Sequence, residues 1–392
     1  MRLATAGFAI ATFASLVAAS ATSDAPPQFG DPLPRLTASQ SSVFAGGKTE
    51  FNSVEDVDEG LGPVFNGRSC AECHSVPAVG GGSERVVTRF GTITNGQFDP
   101  LAQYGGSLIQ DHAITRDDGS THNFSPETVP SAATIVAHRR TPPLFGLGYV
   151  DAVPDQTFYA LAALEAQRED GTAGRAAVVT NVATGLQSVG KFGWKDQVPS
   201  LFVFSGDAYL NEMGITNPLF PNENCPNGDC KQLKWNPRPD LNDLGDGVDA
   251  FKNFMTMLAA PSRGVITNDV TDGEEVFDSI GCTSCHVATM HTGSSDFAAL
   301  DNKPFHPYSD FLLHDMGSLG DGIAMGNASG REMRTAPLWG LRAITRYLHD
   351  GRASTLTDAI LGHDGQGAAA RNRFTALDDS SKSKLLSFLN SL

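Results

Sequence analysis

The chain predicts as mainly α, built from two related domains with long loops and minor β structure. Three observations carry this. The pentapeptide Cys-x-x-Cys-His occurs twice, as Cys70-Ala71-Glu72-Cys73-His74 and Cys282-Thr283-Ser284-Cys285-His286. The surroundings of the two copies also repeat. Finally, 392 residues are enough for two domains, and 41 Gly and 22 Pro supply the turns that long loops need.

Two thiols three positions apart can form thioethers to the two vinyl groups of one porphyrin, and the next histidine then lies under the iron. Each copy therefore reads as a site for covalently bound haem c. Cys70, Cys73, Cys282 and Cys285 would attach the cofactors, and His74 and His286 would ligate iron. The competing reading is zinc or a disulfide, since four Cys and two His could build Cys₂His₂ or Cys₄ centres. Chance competes weakly: with 6 Cys and 10 His, composition gives roughly 0.002 such pentapeptides per chain.

The repeat extends further. Before each copy lies a helical start with Gly and Phe four apart, Gly47 to Phe51 and Gly273 to Phe277. After each lies a matching segment. These are Arg140-Thr141-Pro142-Pro143-Leu144-Phe145-Gly146-Leu147 and Arg334-Thr335-Ala336-Pro337-Leu338-Trp339-Gly340-Leu341. Landmarks in one order indicate two copies of one supersecondary unit. The spacing differs, however. Phe277 runs almost directly into Cys282, whereas Asn52 to Ser69 separate Phe51 from Cys70.

In chain order, Arg2, the apolar run Leu3 to Ala19 and the end Ala19-Ser20-Ala21 read as a secretory signal over residues 1–21. The mature chain is then periplasmic, where c-type haem is attached and disulfides persist. Residues 37–200 form the N-terminal haem domain. Within it, 79–130 is loop-rich with β pieces such as Val86 to Phe90, and Pro154 to Arg168 reads as a helix with Pro154 in its first turn. Residues 201–262 form a loop-rich connecting segment and a helix. Asp246 to Ala260 places Val248, Phe251, Met255 and Leu258 at helical spacing, closed by Pro261. Cys225 and Cys230, in a turn-rich stretch, suit a local disulfide, with a metal clip as the lesser alternative. Residues 263–392 form the C-terminal haem domain and end on a helix over Ser380 to Leu392. No other run is long and apolar enough to span a membrane. The net charge, 28 − 44 = −16, argues against nucleic acid or an anionic membrane as partner. It fits a basic redox protein; a plain solvated acidic surface is the competing reading.

A haem iron has two axial positions, and the occupant of the second separates electron transfer from substrate binding. The second half carries Ser309-Asp310-Phe311-Leu312-Leu313-His314-Asp315-Met316-Gly317, then the Arg334 segment, then Tyr347-Leu348-His349-Asp350-Gly351-Arg352, then Thr355-Leu356-Thr357-Asp358-Ala359-Ile360. This resembles the C-terminal domain of bacterial di-haem cytochrome c peroxidases and their methylamine-utilisation relatives. The nearest resemblance is to the di-haem oxidoreductase family, also described as thiol oxidoreductases. Gly193-Trp194-Lys195 and Gly214-Ile215-Thr216-Asn217-Pro218-Leu219-Phe220 resemble that family too. The resemblance covers most of the mature chain and is weakest over 95–135.

What the resemblance implies is two cytochrome c-like domains with one haem each. In those relatives a ligand to the second haem follows the Asp-Gly and Thr-Leu elements by one short helix, and it is Met or Tyr. Here that position is His363, implying His286/His363 coordination and a lower potential than Met would give. A loop histidine before Gly365 is the competing reading. Met316 and Met333 are reserve ligands, and His314 and His349 read as groups that orient loops or propionates. In the relatives the first haem is catalytic, with an open or openable iron and a Glu or Gln working on peroxide. Matching Phe158 to Leu356 and Leu161 to Ala359 sets Glu165 opposite His363, so Glu165 is the expected general acid/base. The competing reading is an exposed helix Glu, and His112 and His138 are rival caps of the iron. Trp339 is the candidate electron relay, or else a core aromatic. A calcium ion occurs between the haems of relatives. No acidic loop here has a recognisable calcium spacing, so calcium stays open.

The expected function is a periplasmic di-haem c-type oxidoreductase of peroxidase type. Hydrogen peroxide is the leading oxidant, a small redox protein the electron donor, and relay runs from the C-terminal to the N-terminal haem. The alternatives are oxidation of a thiol or sulfur compound, and an electron-transfer protein without substrate turnover.

Overall fold

The computed structural model describes residues 25–392; the expected signal, 1–21, lies outside them. Helices carry the architecture: α1 (Ala38–Asn52), α2 (Cys70–Cys73), α3 (Leu147–Asp151), α4 (Asp155–Ala166), α5 (Leu201–Met213), α6 (Asp246–Met257), α7 (Asn268–Ser279), α8 (Leu356–Leu361), α9 (Ala368–Ala376) and α10 (Asp379–Leu389). Sheet structure is minor, as expected. Val86–Thr94 is the central strand of a three-stranded antiparallel sheet between Gln97–Asp99 and Ile135–Arg140, and the remaining strands form two-stranded ribbons.

Two helix pairs dominate the packing, α1 on α6 and α7 on α10. Each crosses at a repeated glycine. A Cβ on Gly47 would sit 2.5 Å from the Ala250 carbonyl oxygen, and one on Gly273 would sit 2.0 Å from that of Lys384. Only glycine lets those backbones meet. One turn on, the repeated phenylalanine is buried and reaches its motif histidine. The ring centroids lie 6.2 Å apart for Phe51 and His74 and 6.0 Å apart for Phe277 and His286. The Gly–Phe repeat is thus one device used twice: a close helix crossing that brings an aromatic ring to the Cys-x-x-Cys-His histidine.

The cores follow these pairs. Phe44, Phe51, Phe251 and Phe254 join α1 to α6 in the larger hydrophobic cluster, which also takes in α5. Phe277, Tyr308, Leu385 and Phe388 form a second cluster around α7 and α10. Within the stretch read as a connecting segment, α6 is therefore a core element packed on α1.

Helix ends differ from the sequence expectation for local reasons. α6 stops at Met257 because Leu258 turns extended and the next residues bond to another segment. Leu33 donates to the Met257 carbonyl and Ala259 to that of Asp31. Pro154 is the N-cap of α4, with extended ψ, rather than a first-turn residue. α10 begins at Asp379, where the Asp378 carboxylate accepts from the Ser381 amide. Cys225 and Cys230 form the expected disulfide. No helix among the described residues is long and apolar enough to cross a membrane.

Candidate active site

Each motif folds as one tight turn. Ser69 caps α2 through the Glu72 amide, and the His74 amide donates to the Cys70 carbonyl at 3.0 Å. In the second copy a single 3₁₀ turn takes that place, and His286 donates to the Cys282 carbonyl at 2.9 Å. All four cysteines are unpaired. Burial pushes the Cys70 thiol up, and lifts that of Cys282 to about 12.

The motif histidines are prepared alike. His74 Nδ1 lies 3.0 Å from the Gly81 carbonyl, and His286 Nδ1 lies 2.8 Å from that of Tyr308. A carbonyl can only accept, so Nδ1 carries the proton and Nε2 keeps its lone pair. This is the usual outer partner of a metal-bound imidazole. Burial lowers both imidazoles to about 4, which keeps them neutral.

Their partners differ. His286 faces His363 across a cavity of about 320 Å³, with ring centroids 6.5 Å apart. His363 leaves α8 just past its C-cap, Gly362, and its Nδ1 lies 2.9 Å from the Ala359 carbonyl, so its Nε2 is also free. His74 has Phe51 as its ring neighbour, and no second histidine ring stands at comparable range among the described residues. The rival caps are occupied elsewhere and exposed. His112 stacks on Phe65 and bonds Asp111, and His138 sits on a strand beside Thr88.

A family model described as "di-haem oxidoreductase, putative peroxidase" matches residues 115–392. The chain belongs to the di-haem oxidoreductase family. It is accordingly an oxidoreductase of a family that uses two haems. No protein of curated function matches it. Among solved structures, Kuenenia stuttgartiensis hydrazine synthase is similar at 15% identity and TM-score 0.42, over 99% of this chain and 100% of that one. A MauG-like protein associated with microbial copper homeostasis has 14% identity and TM-score 0.40, over 94% of each chain. The dihaem peroxidase BthA from Burkholderia thailandensis E264 has 12% identity and TM-score 0.37, over 90% of this chain and 86% of that one. Likenesses this remote assign nothing to individual residues.

The residues of this oxidoreductase fit a haem at the second motif. With metal–imidazole bonds of about 2 Å and ring nitrogens about 1.1 Å from their centroids, two imidazoles on one iron have centroids about 6.2 Å apart. The observed 6.5 Å meets that. Cys282, Cys285, Met316, Met333 and Trp339 line the same cavity. A zinc centre fits poorly, because the four cysteines and two motif histidines do not converge among the described residues. The one convergent group there is Cys285, Asp310 and His314. In it His314 bridges, with Nε2 2.9 Å from Asp310 and Nδ1 3.5 Å from Cys285 Sγ.

The oxidoreductase places Glu165 away from its expected role. Its side chain is buried, with Oε2 accepting from the Gly174 amide at 2.8 Å, and its charged neighbours are Asp310, His314 and Arg168. Those groups surround the second motif, not His74. The buried carboxyl beside Cys70 is instead Glu55, whose Oε1 accepts from the Tyr209 hydroxyl at 3.1 Å. Burial lifts Glu55 to about 7, against the lowering by Tyr209. Sequence reasoning missed Glu55, and its position in the extra loop between Phe51 and Cys70 was the available signal. It also left Trp194 and Lys195 without roles. Trp194 Nε1 donates to the Arg140 carbonyl at 3.0 Å, and the buried Lys195 pairs with Asp321 at 3.2 Å.

Proposed function

We propose that this oxidoreductase is a periplasmic di-haem c-type peroxidase with the expected signal at 1–21. Its haems are held by thioethers at Cys70/Cys73 and Cys282/Cys285, with His74 and His286 as proximal ligands and His363 as the second ligand at the C-terminal site. The domains are 37–200, completed by the core helices α5 and α6 of 201–262, and 263–392, each cytochrome c-like. One observation supports the reading most: the C-terminal motif histidine has an opposed histidine, and the N-terminal one does not. When bound, two haems supply the two electrons that turn hydrogen peroxide and two protons into two waters, the C-terminal one relaying and the N-terminal one reacting.

The chain's own residues do the rest. Carbonyls of Gly81, Tyr308 and Ala359 hold the Nδ1 protons and aim the Nε2 atoms. The buried Phe51 and Phe277 exclude water from one side of the His74 and His286 rings. Glu55, titrating near neutrality, can hold and release a proton beside Cys70, with the Tyr209 hydroxyl steadying Oε1. Glu165 holds a proton on the second side, where burial and then Asp310 lift it to about 7. A small basic redox protein is the proposed donor, since the net charge of −16 favours it.

The test is anaerobic mixing of fully reduced holoprotein with hydrogen peroxide. The expected result is that one peroxide oxidises both irons. Haems that both stay ferrous contradict the proposal and favour an electron-transfer protein, or turnover of a thiol or sulfur compound.

A further inference from the structure

The two repeated arginines cross between the halves of the chain. Arg140, from the first half, donates its backbone N–H to the His349 carbonyl of the second half at 2.7 Å. Arg334, from the second half, donates its backbone N–H to the Trp194 carbonyl at 3.0 Å and its Nε to that of Gly193 at 2.7 Å. Both line the cavity beside Cys282, Cys285 and His286.

Their electrostatic surroundings are unequal. Arg334 has the Asp196 carboxylate at 3.5 Å. Arg140 is 8% exposed; the carboxylate that acts on it is Glu84, which is exposed and lies beyond ion-pair range among the described residues. Its Nη1 donates to the Arg346 carbonyl, and its Nε has no hydrogen-bond partner. A guanidinium stays protonated in proteins. A buried cation without a counter-ion is far costlier than a paired one. Of the other arginines of the cavity, Arg371 has Asp364 at 3.4 Å, and Arg373 is exposed to water and donates to the Ile280 carbonyl at 2.7 Å. Arg140 is therefore the wall group that calls for an anion. A haem attached at Cys282 and Cys285 brings carboxylate arms into this same cavity.

We propose that Arg140 binds a carboxylate side arm of the haem at the second motif, so that the first half of the chain completes the cofactor site of the second. This rests on the covalent-haem reading above. The residue is well placed to be rigid, since Trp194 Nε1 holds its carbonyl. The Pro142 carbonyl, two residues on, faces the His74 ring. One short segment thus touches both cofactor sites.

The experiment uses holoprotein carrying Arg140→Gln or Arg140→Lys and measures the potential of the low-spin haem by spectroelectrochemistry. Intact mass checks the haem content. The expected result is two haems retained, a lower potential in the Gln variant because a cation favouring the reduced form is gone, and recovery of most of the shift with Lys. An unchanged potential in the Gln variant overturns the proposal. Exchanging chloride for acetate should leave the wild-type potential unmoved, and a shift would mean that a free anion occupies the place. If the Gln variant loses its second haem, reduced-minus-oxidised infrared spectra of wild type with ¹³C-labelled haem carboxylates decide. A labelled band that the Lys variant moves supports the contact, and a band that it leaves in place overturns it. Wild type without two covalent haems by mass would instead fail the underlying functional reading.

Discussion

Across its cavity His286 looks at His363, while His74 looks at Phe51 and, among the described residues, at no second histidine. Yet the near sides of the two motifs are built alike. Each has a glycine-mediated helix crossing, a buried Phe against the motif histidine, and a carbonyl on Nδ1. The difference teaches where asymmetry enters. The glycine, the phenylalanine and the motif histidine come from repeated sequence, and the carbonyls that meet the two glycines, Ala250 and Lys384, come from helices far along the chain. The second histidine comes from outside the repeat, on the turn after α8, and the long loop from Asn52 to Ser69 carries Glu55 near Cys70 at the first motif. The two motifs share the helix crossing and the ring contact, and only the second has an opposed histidine among the described residues.

Removing one socket at a time would break the comparison most severely. The double variant Cys282→Ala/Cys285→Ala should lose one haem by intact mass and leave a purely high-spin ferric spectrum. Cys70→Ala/Cys73→Ala should leave a purely low-spin one. Identical spectra from the two would erase the asymmetry. Less drastically, His363→Ala should retain both haems and turn the low-spin signal high-spin. A low-spin signal that survives intact removes His363 as the ligand.

Acid sensitivity sharpens the picture at the second site. Burial holds His349 down at about 4, from 6.5 when exposed. Between those values the unfolded chain binds a proton that the folded chain refuses. Stability therefore falls as pH drops from 6.5 towards 4, by on the order of 3 kcal/mol, and levels off below. Denaturant titrations at pH 7 and pH 4.5 should show a smaller difference for His349→Gln than for wild type. An equal difference would mean that His349 is not the source.

The glycine crossings should differ only in degree. Gly273→Ala presses a methyl against the Lys384 carbonyl at 2.0 Å, and Gly47→Ala against that of Ala250 at 2.5 Å. Each should destabilise by about 1–3 kcal/mol, the first more than the second. Gly46→Ala meets nothing within 4 Å and should stabilise α1 by up to about 1 kcal/mol. Thermal melts of the three variants check this order.

What could be read from sequence was what lies within a few residues of a motif. The Cys-x-x-Cys-His turns, the Gly–Phe spacing, the local disulfide and the position of His363 after a short helix are all of that kind. Glu165 shows where linear matching stops working. α4 runs on through Ala166, so Glu165 stays on the helix, whereas α8 ends at Leu361 and lets His363 swing out. Aligned positions then point in different directions. Glu55 stands in the extra loop and Arg140 in the repeat, but what each does lies in contacts with Tyr209 and His349, far along the chain.

The asymmetry of the two sites is most directly tested by the electron paramagnetic resonance spectrum of the fully ferric holoprotein. One high-spin signal that shifts with cyanide, beside one low-spin signal that does not, is the predicted result. Two low-spin signals, both unchanged by cyanide and by addition of a single electron, would contradict it.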